Sequence, residues 1–458
     1  MSGTHTETVS IEEAREEIRE LIDSRDWLAV RRTLADLPVP EVADLLLSVE
    51  MPERLLVFRL LPRDLSDEAF SYLDGPDQDV ILGGLTDRET RRLLSAMAPD
   101  DRTELFEELP GEITQKLLNL LDAEDLAEVR QLLGYPEESV GRLATTDYVA
   151  IRPWWTVAQA LTQVRERGRD SETIDIVYVT DRSWRLEAYC ELRRLILAAP
   201  DQLVSDIMEP VHAPVSAFDD QEEAVREMQR HDIAVLPVVD SAGVLIGIVT
   251  ADDIFDVLEE EVTEDIHRTG AIAPLRQSYR HMGVFGLYRK RIGWLAILLL
   301  VNLLSSGIIA AYEEMLAQVI SLAFFIPLLI ATGGNTGSQS AMLMVRALVT
   351  DDVTIGQWGV TFVKELGIGV LLGITLAVGS FFLGLFRAGP DPTIGLIVAF
   401  SMATIVVVSN LIGMSLPFLF TKYGRDPAVA SSPLITSIAD AAGLLIYFFY
   451  ASRLLGLT

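Results

Sequence analysis

Cysteine is all but missing: Cys190 is the only one in 458 residues, which excludes a disulfide scaffold. Lysine is scarce too. Lys116, Lys290, Lys364 and Lys422 stand against 33 arginines, a bias that fits either a GC-rich genome or a salt-adapted acidic surface. The five histidines (His5, His212, His231, His267 and His281) show no metal-ligand spacing and read as surface residues. There is no nucleophile–base pair and no phosphate-cradling loop, so an enzyme is not expected. The N-terminus is acidic and helical in pattern, without the apolar core of a secretory signal peptide. The polar part of the chain is therefore expected to stay in the compartment where it is made.

What is present looks contradictory. Half of the residues are apolar and the mean hydropathy is +0.30, yet the net charge is −30. Cutting the chain near residue 280 resolves this. Residues 1–280 hold 59 of the 67 acids and 28 of the 37 bases, a balance of −31. Residues 281–458 hold the remaining 8 acids and 9 bases and are nearly neutral. An acidic soluble half thus precedes a membrane half, and the length suggests about three domains. A nucleic-acid binder is excluded, because the soluble half would repel phosphate.

Five stretches are long enough to span a hydrocarbon core of about 30 Å. They are Ile292–Ala311, Met315–Val345, Leu366–Phe386, Thr393–Phe420 and Pro427–Ser452. The second is too long for one straight span and is expected to tilt or break. Trp294, Tyr312, Trp358 and Tyr423 lie near span ends, as interfacial aromatics do. Arg289-Lys290-Arg291 precedes the first span, Arg346 the third, and Lys422 and Arg425 the fifth, whereas Glu313-Glu314 and residues 387–392 together hold only Arg387. The positive-inside rule then puts the N-terminus in the cytoplasm and, after five spans, the C-terminus outside.

The polar residues inside the spans carry the chemistry. Asp440 lies mid-span between Ser431 and Gly443. A lone carboxylate in hydrocarbon is costly, so it is expected to face water, an ion or a partner; the alternative is an Asp capped by a nearby Ser or Thr, serving only packing. The segment Thr332-Gly333-Gly334-Asn335-Thr336-Gly337-Ser338-Gln339-Ser340 suits close helix packing or an opened backbone that offers carbonyls. Asn335 and Gln339, four apart, share a helix face. Asn410 reads as an interhelical hydrogen bond, and Lys364-Glu365 as a pair snorkelling to the cytoplasmic membrane surface. No arginine or lysine lies deep in a span. One carboxylate, amides and carbonyls make an oxygen-rich cation path. Magnesium keeps several waters and needs only one or two carboxylates, so one Asp per chain, doubled by a two-fold axis, suits it. Calcium, manganese and cobalt remain alternatives.

In the soluble half, residues 30–135 show short leucine-rich helices with acidic starts such as Leu85-Thr86-Asp87, Ala98-Pro99-Asp100-Asp101, Leu109-Pro110-Gly111-Glu112 and Leu121-Asp122-Ala123-Glu124, recurring about every 11–13 residues. They predict an all-α superhelical domain. Residues 138–265 change texture, with β-branched runs at 174–180 and 233–240 and two rough strand–turn–strand–helix copies, near 138–200 and 201–262. The helix after the second copy holds Asp253, Asp256 and Glu260 on one face, where they repel. Such a face becomes tolerable with a divalent ion between the carboxylates, or is simply a solvated acidic surface.

Leu236-Pro237-Val238-Val239-Asp240 and Gly247-Ile248-Val249-Thr250-Ala251-Asp252-Asp253 resemble a cystathionine-β-synthase (CBS) domain. Together with the helical domain before it and the five spans after it, with Pro327, Gly333-Gly334-Asn335-Thr336-Gly337-Ser338-Gln339 and Asp440, the order resembles the MgtE family of magnesium channels over nearly the whole chain. That resemblance implies a multidomain fold. Its expected parts are an all-α superhelical N-terminal domain (1–137), tandem α/β CBS domains (138–200 and 201–265), a linker or plug helix (266–290) and a five-helix transmembrane domain (291–458).

It also implies a homodimer in the cell membrane, with cytoplasmic N-terminal and CBS domains and a pore on the two-fold axis. Matching the pore magnesium site is Asp440, with Asn335, Thr436 and Gly334 beside it; Ser432 stands where some relatives carry Asn. Matching the cytosolic magnesium-sensing acids are Asp100, Glu104, Asp220, Glu222, Asp232, Asp253, Asp256, Glu261, Glu264 and Asp265, with Glu104 where Asp is expected. Thr250 and Asp253 fit the CBS pattern for ATP, which makes ATP a candidate modulator; the first copy, at 186–191, lacks that pattern. High cytosolic magnesium is expected to bridge these domains and hold the linker against the pore, and low magnesium to release it. The rival readings are a transporter of another divalent ion, a coupled exchanger, a membrane-anchored nucleotide sensor and a CBS-bearing chloride channel. The last is disfavoured by its span count and the acidic soluble half.

Overall fold

In the computed structural model, residues 16–457 are described except 19, 23, 110, 212, 276–278 and 389–391. His5, His212, Pro110 and parts of the 266–290 linker and the 387–392 loop therefore lie outside the described residues. The chain forms two compact units, Met1–Glu259 and Glu260–Thr458.

The first unit opens with short helices whose starts step by twelve residues. They are α1 (Trp27–Ala35), α2 (Val39–Ser48), α3 (Met51–Leu60), α4 (Arg63–Ser71), α5 (Gly75–Gly84), α6 (Asp87–Ala96), α7 (Pro99–Glu108), α8 (Gly111–Leu118) and α9 (Ala123–Leu132). Six of them begin on a residue that stops propagation backwards. Asp26, Thr86 and Asp122 cap with their side chains, and Pro40, Pro76 and Pro99 sit in the first turn, where a missing N–H costs nothing. The same period runs through the core. Leu34, Leu46, Phe58, Phe70, Leu82, Leu94 and Phe106 are buried twelve apart, and Leu45, Val57, Ala69, Ile81, Leu93, Leu105, Leu117 and Val129 form a second ladder. A helix of eight to ten residues and a connector of two to four, always totalling twelve, thus return the apolar face to the same side at each step, which makes a stacked array.

Two small sheets follow. The first has the order β1 (Ala150–Ile151), β2 (Ile176–Thr180), β3 (Leu186–Glu191), β4 (Glu209–Pro210), with β1 and β2 parallel and the other pairs antiparallel. The second has β5 (Val215–Ser216) parallel to β6 (Val235–Val239), which is antiparallel to β7 (Leu245–Thr250). Helices α10 (Val157–Arg167), α11 (Leu192–Leu197) and α12 (Gln221–His231) cover them. The copies exchange flanks. Glu209–Pro210 completes the first sheet, while Val140 and Ala144 pack into the second core and Thr145 pairs with Ile248 through both backbone hydrogen bonds. Leaving β7, the chain runs straight into α13 (Ala251–Thr269), which crosses the division between the two units.

Among the described residues, the second unit holds five helices long and apolar enough to cross a membrane. α14 (Val284–Ala311) comes first. The long second stretch breaks, as its length predicts, into α15 (Glu313–Gln318), a 3-10 turn (Ile320–Phe325) and α16 (Ile326–Val349). Tyr447 closes that break by donating its hydroxyl proton to the Leu322 carbonyl at 2.9 Å. α17 (Trp358–Ala388), α18 (Pro392–Lys422) and α19 (Ser432–Leu455) complete the set. α18 is the central helix, 61% buried over its apolar window against 6% for α14.

α18 meets α16 along a glycine seam. A Cβ on Gly413 would fall on the Gly337 carbonyl oxygen, and one on Gly337 would lie 3.0 Å from the Ser409 carbonyl oxygen. Backbones this close exclude side chains, the usual means of packing where lipid supplies no hydrophobic drive. Gly413→Ala is therefore expected to destabilise the membrane unit by about 1–3 kcal/mol, the usual range for overpacking. Gly379→Ala, which meets nothing within 4 Å, should be near neutral. Thermal unfolding of the two variants in detergent checks this; equal midpoints would refute the seam.

Candidate functional site

Helix α16 is continuous through Thr332–Ser340, so the segment serves close packing and its backbone is not opened. Gly333 and Gly337 face α18, while Gly334 faces α19, where an added Cβ would sit 2.8 Å from Thr436 Cγ2. Ser338 Oγ lies 3.3 Å from Thr436 Oγ1 and 3.4 Å from the Ser432 carbonyl oxygen. The hydroxyls of Thr332, Thr336, Thr436 and Ser437 donate to carbonyls one turn back. Asp440 stands one turn beyond Thr436 on α19, and its Oδ1 is buried without a hydrogen-bond partner. Capping by a neighbouring Ser or Thr is therefore not what occupies that atom. Asn335 and Gln339 share an exposed face of α16.

Asn410 makes the interhelical hydrogen bond expected of it, but the partner is unexpected. Its Nδ2 donates to Glu365 Oε2 at 2.8 Å and to the Glu365 carbonyl at 2.9 Å. Glu365 is thus buried inside the bundle and does not snorkel to the membrane surface; only Lys364 is exposed. The adjacent pair points in two directions because neighbours on a helix stand about 100° apart.

The second constellation lies within the first unit. Asp100, Asp101 and Glu104 of α7 face Asp252, Asp253 and Asp256 of α13, joined by Glu172 from the loop before β2. Asp101, Asp252 and Glu172 carry no spacing signal of their own: two are chain neighbours of expected ligands, and Glu172 sits in a loop. Burial raises every carboxyl here for which a shift is resolved, and the neighbouring acids add to it. Asp100 is pushed well above the usual carboxylate range by burial and then by Asp253, Asp101 and Glu172. Glu104 is pushed up to about 7 by burial, then Glu108, Asp101, Asp256 and Asp253. Asp253 also reaches about 7 through burial, although the Thr250 N–H and hydroxyl, at 3.1 and 2.9 Å from Oδ2, pull the other way. Arg102, next to Asp101 in sequence, is spent elsewhere, on Asp125 at 3.0 Å and Glu128 at 2.6 Å.

Asp100 Oδ1 is buried without a hydrogen-bond partner. An orphaned carboxylate oxygen among other carboxylates is an all-oxygen, hard donor set, which suits magnesium. Among the described residues, no three His, Cys, Asp or Glu side chains are arranged to hold a metal ion directly.

The remaining expected sensing acids lie apart from this cluster. Asp220 caps α12, accepting from the Glu222 N–H at 3.0 Å; Glu222 pairs with Arg226 at 3.0 Å; Asp232 ends α12 in the left-handed region at φ 52°. Glu261, Glu264 and Asp265 lie on the last turns of α13, and Glu264 pairs with Arg268, whose guanidinium also meets Asp426.

The sequence matches the family described as a divalent cation transporter over residues 326–450, the MgtE intracellular N domain over 37–138 and a CBS domain over 204–260. It is 39% identical over 442 residues to the magnesium transporter MgtE of Thermus thermophilus, covering 96% of this chain and 98% of that one. The chain belongs to the MgtE family. The Bacillus subtilis MgtE is 32% identical, over 88% of this chain and 89% of its own. Among solved structures, the cytosolic domain of the Mg2+ channel MgtE in complex with ATP is 35% identical with a TM-score of 0.51, covering 53% of this chain and 99% of that one. The soluble part of a magnesium transporter is 28% identical with the same score, over 55% and 99%. As an MgtE-family member the chain is a membrane transporter whose CBS pair and helical domain are cytosolic.

The raised acids give a pH prediction. Their folded pKa values lie above the ordinary carboxylate range, so the protonated forms favour the folded contact. That stability is full below about pH 4 and is lost as pH rises through about 7. Without divalent ions, hydrogen-exchange protection of α7 and α13, corrected for the chemical exchange rate, should fall between about pH 5 and pH 8. Glu104→Gln should flatten the profile; a wild-type profile that is already flat would refute the buried cluster.

Proposed function

We propose that the chain forms a magnesium-selective channel that mediates uptake across the cell membrane and closes when cytosolic magnesium is high. The observation that carries the reading is Asp440 Oδ1, buried and unpartnered one turn from the Gly334–Thr436 contact, in a bundle whose spans contribute no deep basic residue. In a homodimer with its two-fold axis beside α16 and α19, two such carboxylates face one largely hydrated ion, with Asn335, Thr436 and Gly334 meeting its water shell. Because magnesium releases its water reluctantly, one carboxylate per chain suffices. The C-terminus then lies outside, after five spans.

Gating follows from the acidic cluster. Cytosolic magnesium bridges Asp100 and Glu104 to Asp253 and Asp256, while Asp220, Glu222, Asp232, Glu261, Glu264 and Asp265 supply further sites within the soluble dimer. Neutralised, the acids draw together and the linker is held at the pore; uncompensated, they repel. Moving such an equilibrium from 1:99 to 99:1 takes about 5.5 kcal/mol of differential binding, which several weak sites share. ATP enters through Thr250 and Asp253, in keeping with the ATP-bound relative. Since Asp253 serves both ligands in this scheme, magnesium and ATP bear on one residue.

The test is magnesium uptake into proteoliposomes, wild type beside Asp440→Ala, with folding and oligomeric state checked. Wild type should carry magnesium, and the variant should lose roughly tenfold or more, the effect of about 1.4 kcal/mol of ion stabilisation. Equal uptake by both would remove Asp440 from the centre. The matched family description covers divalent cations in general. Cobalt, manganese and calcium are therefore run as competitors, and preferential block by one of them would reassign the ion. Millimolar magnesium should also protect the soluble half from protease, and identical digestion with and without it would refute the gating scheme.

A further inference from the structure

One carboxylate in the membrane unit has no part in the reading above. Glu365 of α17 is only 5% exposed, and its hydrogen-bond partners are neutral: Asn410 of α18, at 2.8 Å, and Ser340 of α16, whose hydroxyl donates to Oε2 at 3.4 Å. Asn410 is itself only 3% exposed. A second bond, from Asn410 Nδ2 to the Glu365 carbonyl at 2.9 Å, fixes the amide in one orientation. Gly369, one turn on, lies against the same helix: a Cβ there would meet Asn410 Cβ at 3.5 Å, an ordinary contact. An ionisable group is costly inside a membrane bundle, and packing alone gives no reason for one here.

The surroundings supply a reason. α18 runs between two smooth seams. On one side Gly337 and Gly413 bring it against α16; on the other, a Cβ on Gly373 would lie 2.8 Å from the Ala403 carbonyl oxygen, and Gly384 lies against Gly395. Small-residue seams allow close approach but interlock little, so they fix separation better than they fix register along the helix. Directional hydrogen bonds to a carboxylate fix register, and those to a charged acceptor are the stronger kind. Glu365 makes them to both partner helices at once. Ser340 is three residues from Gly337 and six from Gly334; Asn410 is three residues from Gly413.

We propose that Glu365 is a positioning residue for ion passage: by holding Ser340 and Asn410 it sets the register of α16 against α18, and so the placing of Gly334 against Thr436 beside Asp440. The inference rests on the pore reading above. Gln at this position keeps an acceptor of the same reach without the charge; Leu keeps the bulk without the side-chain acceptor, so the Asn410 amide retains only its bond to the residue-365 backbone carbonyl and the Ser340 tie is lost.

Magnesium flux into proteoliposomes is measured for wild type, Asp440→Ala, Glu365→Gln and Glu365→Leu, with maximal flux, half-saturating magnesium and the magnesium-to-calcium flux ratio as readouts. Glu365→Gln should keep maximal flux within about twofold, and Glu365→Leu should lose about tenfold and narrow the ion ratio. Adding Asn410→Leu to Glu365→Leu should cost no further flux, because the two residues act as one unit. An equal loss in Gln and Leu would overturn the proposal, since charge and not position would then matter. Wild-type behaviour in Leu would overturn it as well.

Should Glu365→Leu fail to fold, Asn410→Asp decides. It sets two carboxylates against each other, and only a shared proton restores the bond. Its flux relative to wild type should therefore rise as pH falls from about 8 to about 6, and a flat ratio would refute the tie. If wild type carries no magnesium, or Asp440→Ala carries as much, the pore reading fails instead, which separates the two failures.

Discussion

Negative charge gathered where water is scarce is the constraint on which both halves of this molecule turn. In the soluble unit, α7 and α13 present Asp100, Asp101, Glu104, Asp252, Asp253 and Asp256 to one another, and burial raises most of these carboxyls. Such an arrangement is stable only when protons or cations balance the charge. In the membrane unit two carboxylates meet the same problem with different answers. Glu365 is satisfied by an amide and a hydroxyl, whereas Asp440 keeps an oxygen free. An acid that accepts hydrogen bonds from both neighbouring helices is architecture; one with a buried oxygen left without a partner is the natural place for an ion.

The rest of the fold reads as means to those placements. The twelve-residue array turns a short, weakly helical sequence into a rigid stack by returning Leu34, Leu46, Phe58, Phe70, Leu82, Leu94 and Phe106 to one core. Isolated helices of nine or ten residues are marginal in water, so each exists because its neighbours bury it. That stack holds α7 firmly enough to keep its acids buried against repulsion. In the membrane unit, α18 does the corresponding work by lying between α16 and α17 on glycine contacts, while Gly334 of α16 packs against Thr436 of α19.

Much of this was legible in the chain, and the exceptions have physical causes. The five spans follow from hydropathy because lipid leaves no alternative to helices, and the break in the second followed from its length. The repeat was visible only as an interval of 11–13, because the residue types at the helix starts vary from one repeat to the next; the helix starts and the buried ladders both keep the strict count of twelve. Glu365 was misread because its neighbour Lys364 suggested a surface pair, and sequence adjacency says nothing about which helix face is buried. Asp101, Asp252 and Glu172 escaped notice because a charge becomes significant through what faces it across space. The exchanged flanks of the two sheets are likewise invisible in a linear reading, since Glu209-Pro210 and Val140 each pair with the copy they do not adjoin in the motif.

α13 gives the two halves a covalent connection with mechanical content. Its 19 residues extend about 28 Å as a helix, beginning with Asp252, Asp253 and Asp256 and ending at Arg268, which pairs with both Glu264 and Asp426. Asp426 lies just before α19, the helix that carries Asp440. A continuous helix transmits displacement of one end to the other with little loss, whereas a flexible linker would dissipate it. In the proposed gating scheme, neutralising the acids at the start of α13 therefore bears on an ion pair anchored at the entry to the pore helix. Arg268 is shared by two acids, Glu264 and Asp426. It therefore ties the C-terminal end of α13 to the segment before α19 without a metal, while in the proposed scheme the N-terminal end answers to the cation.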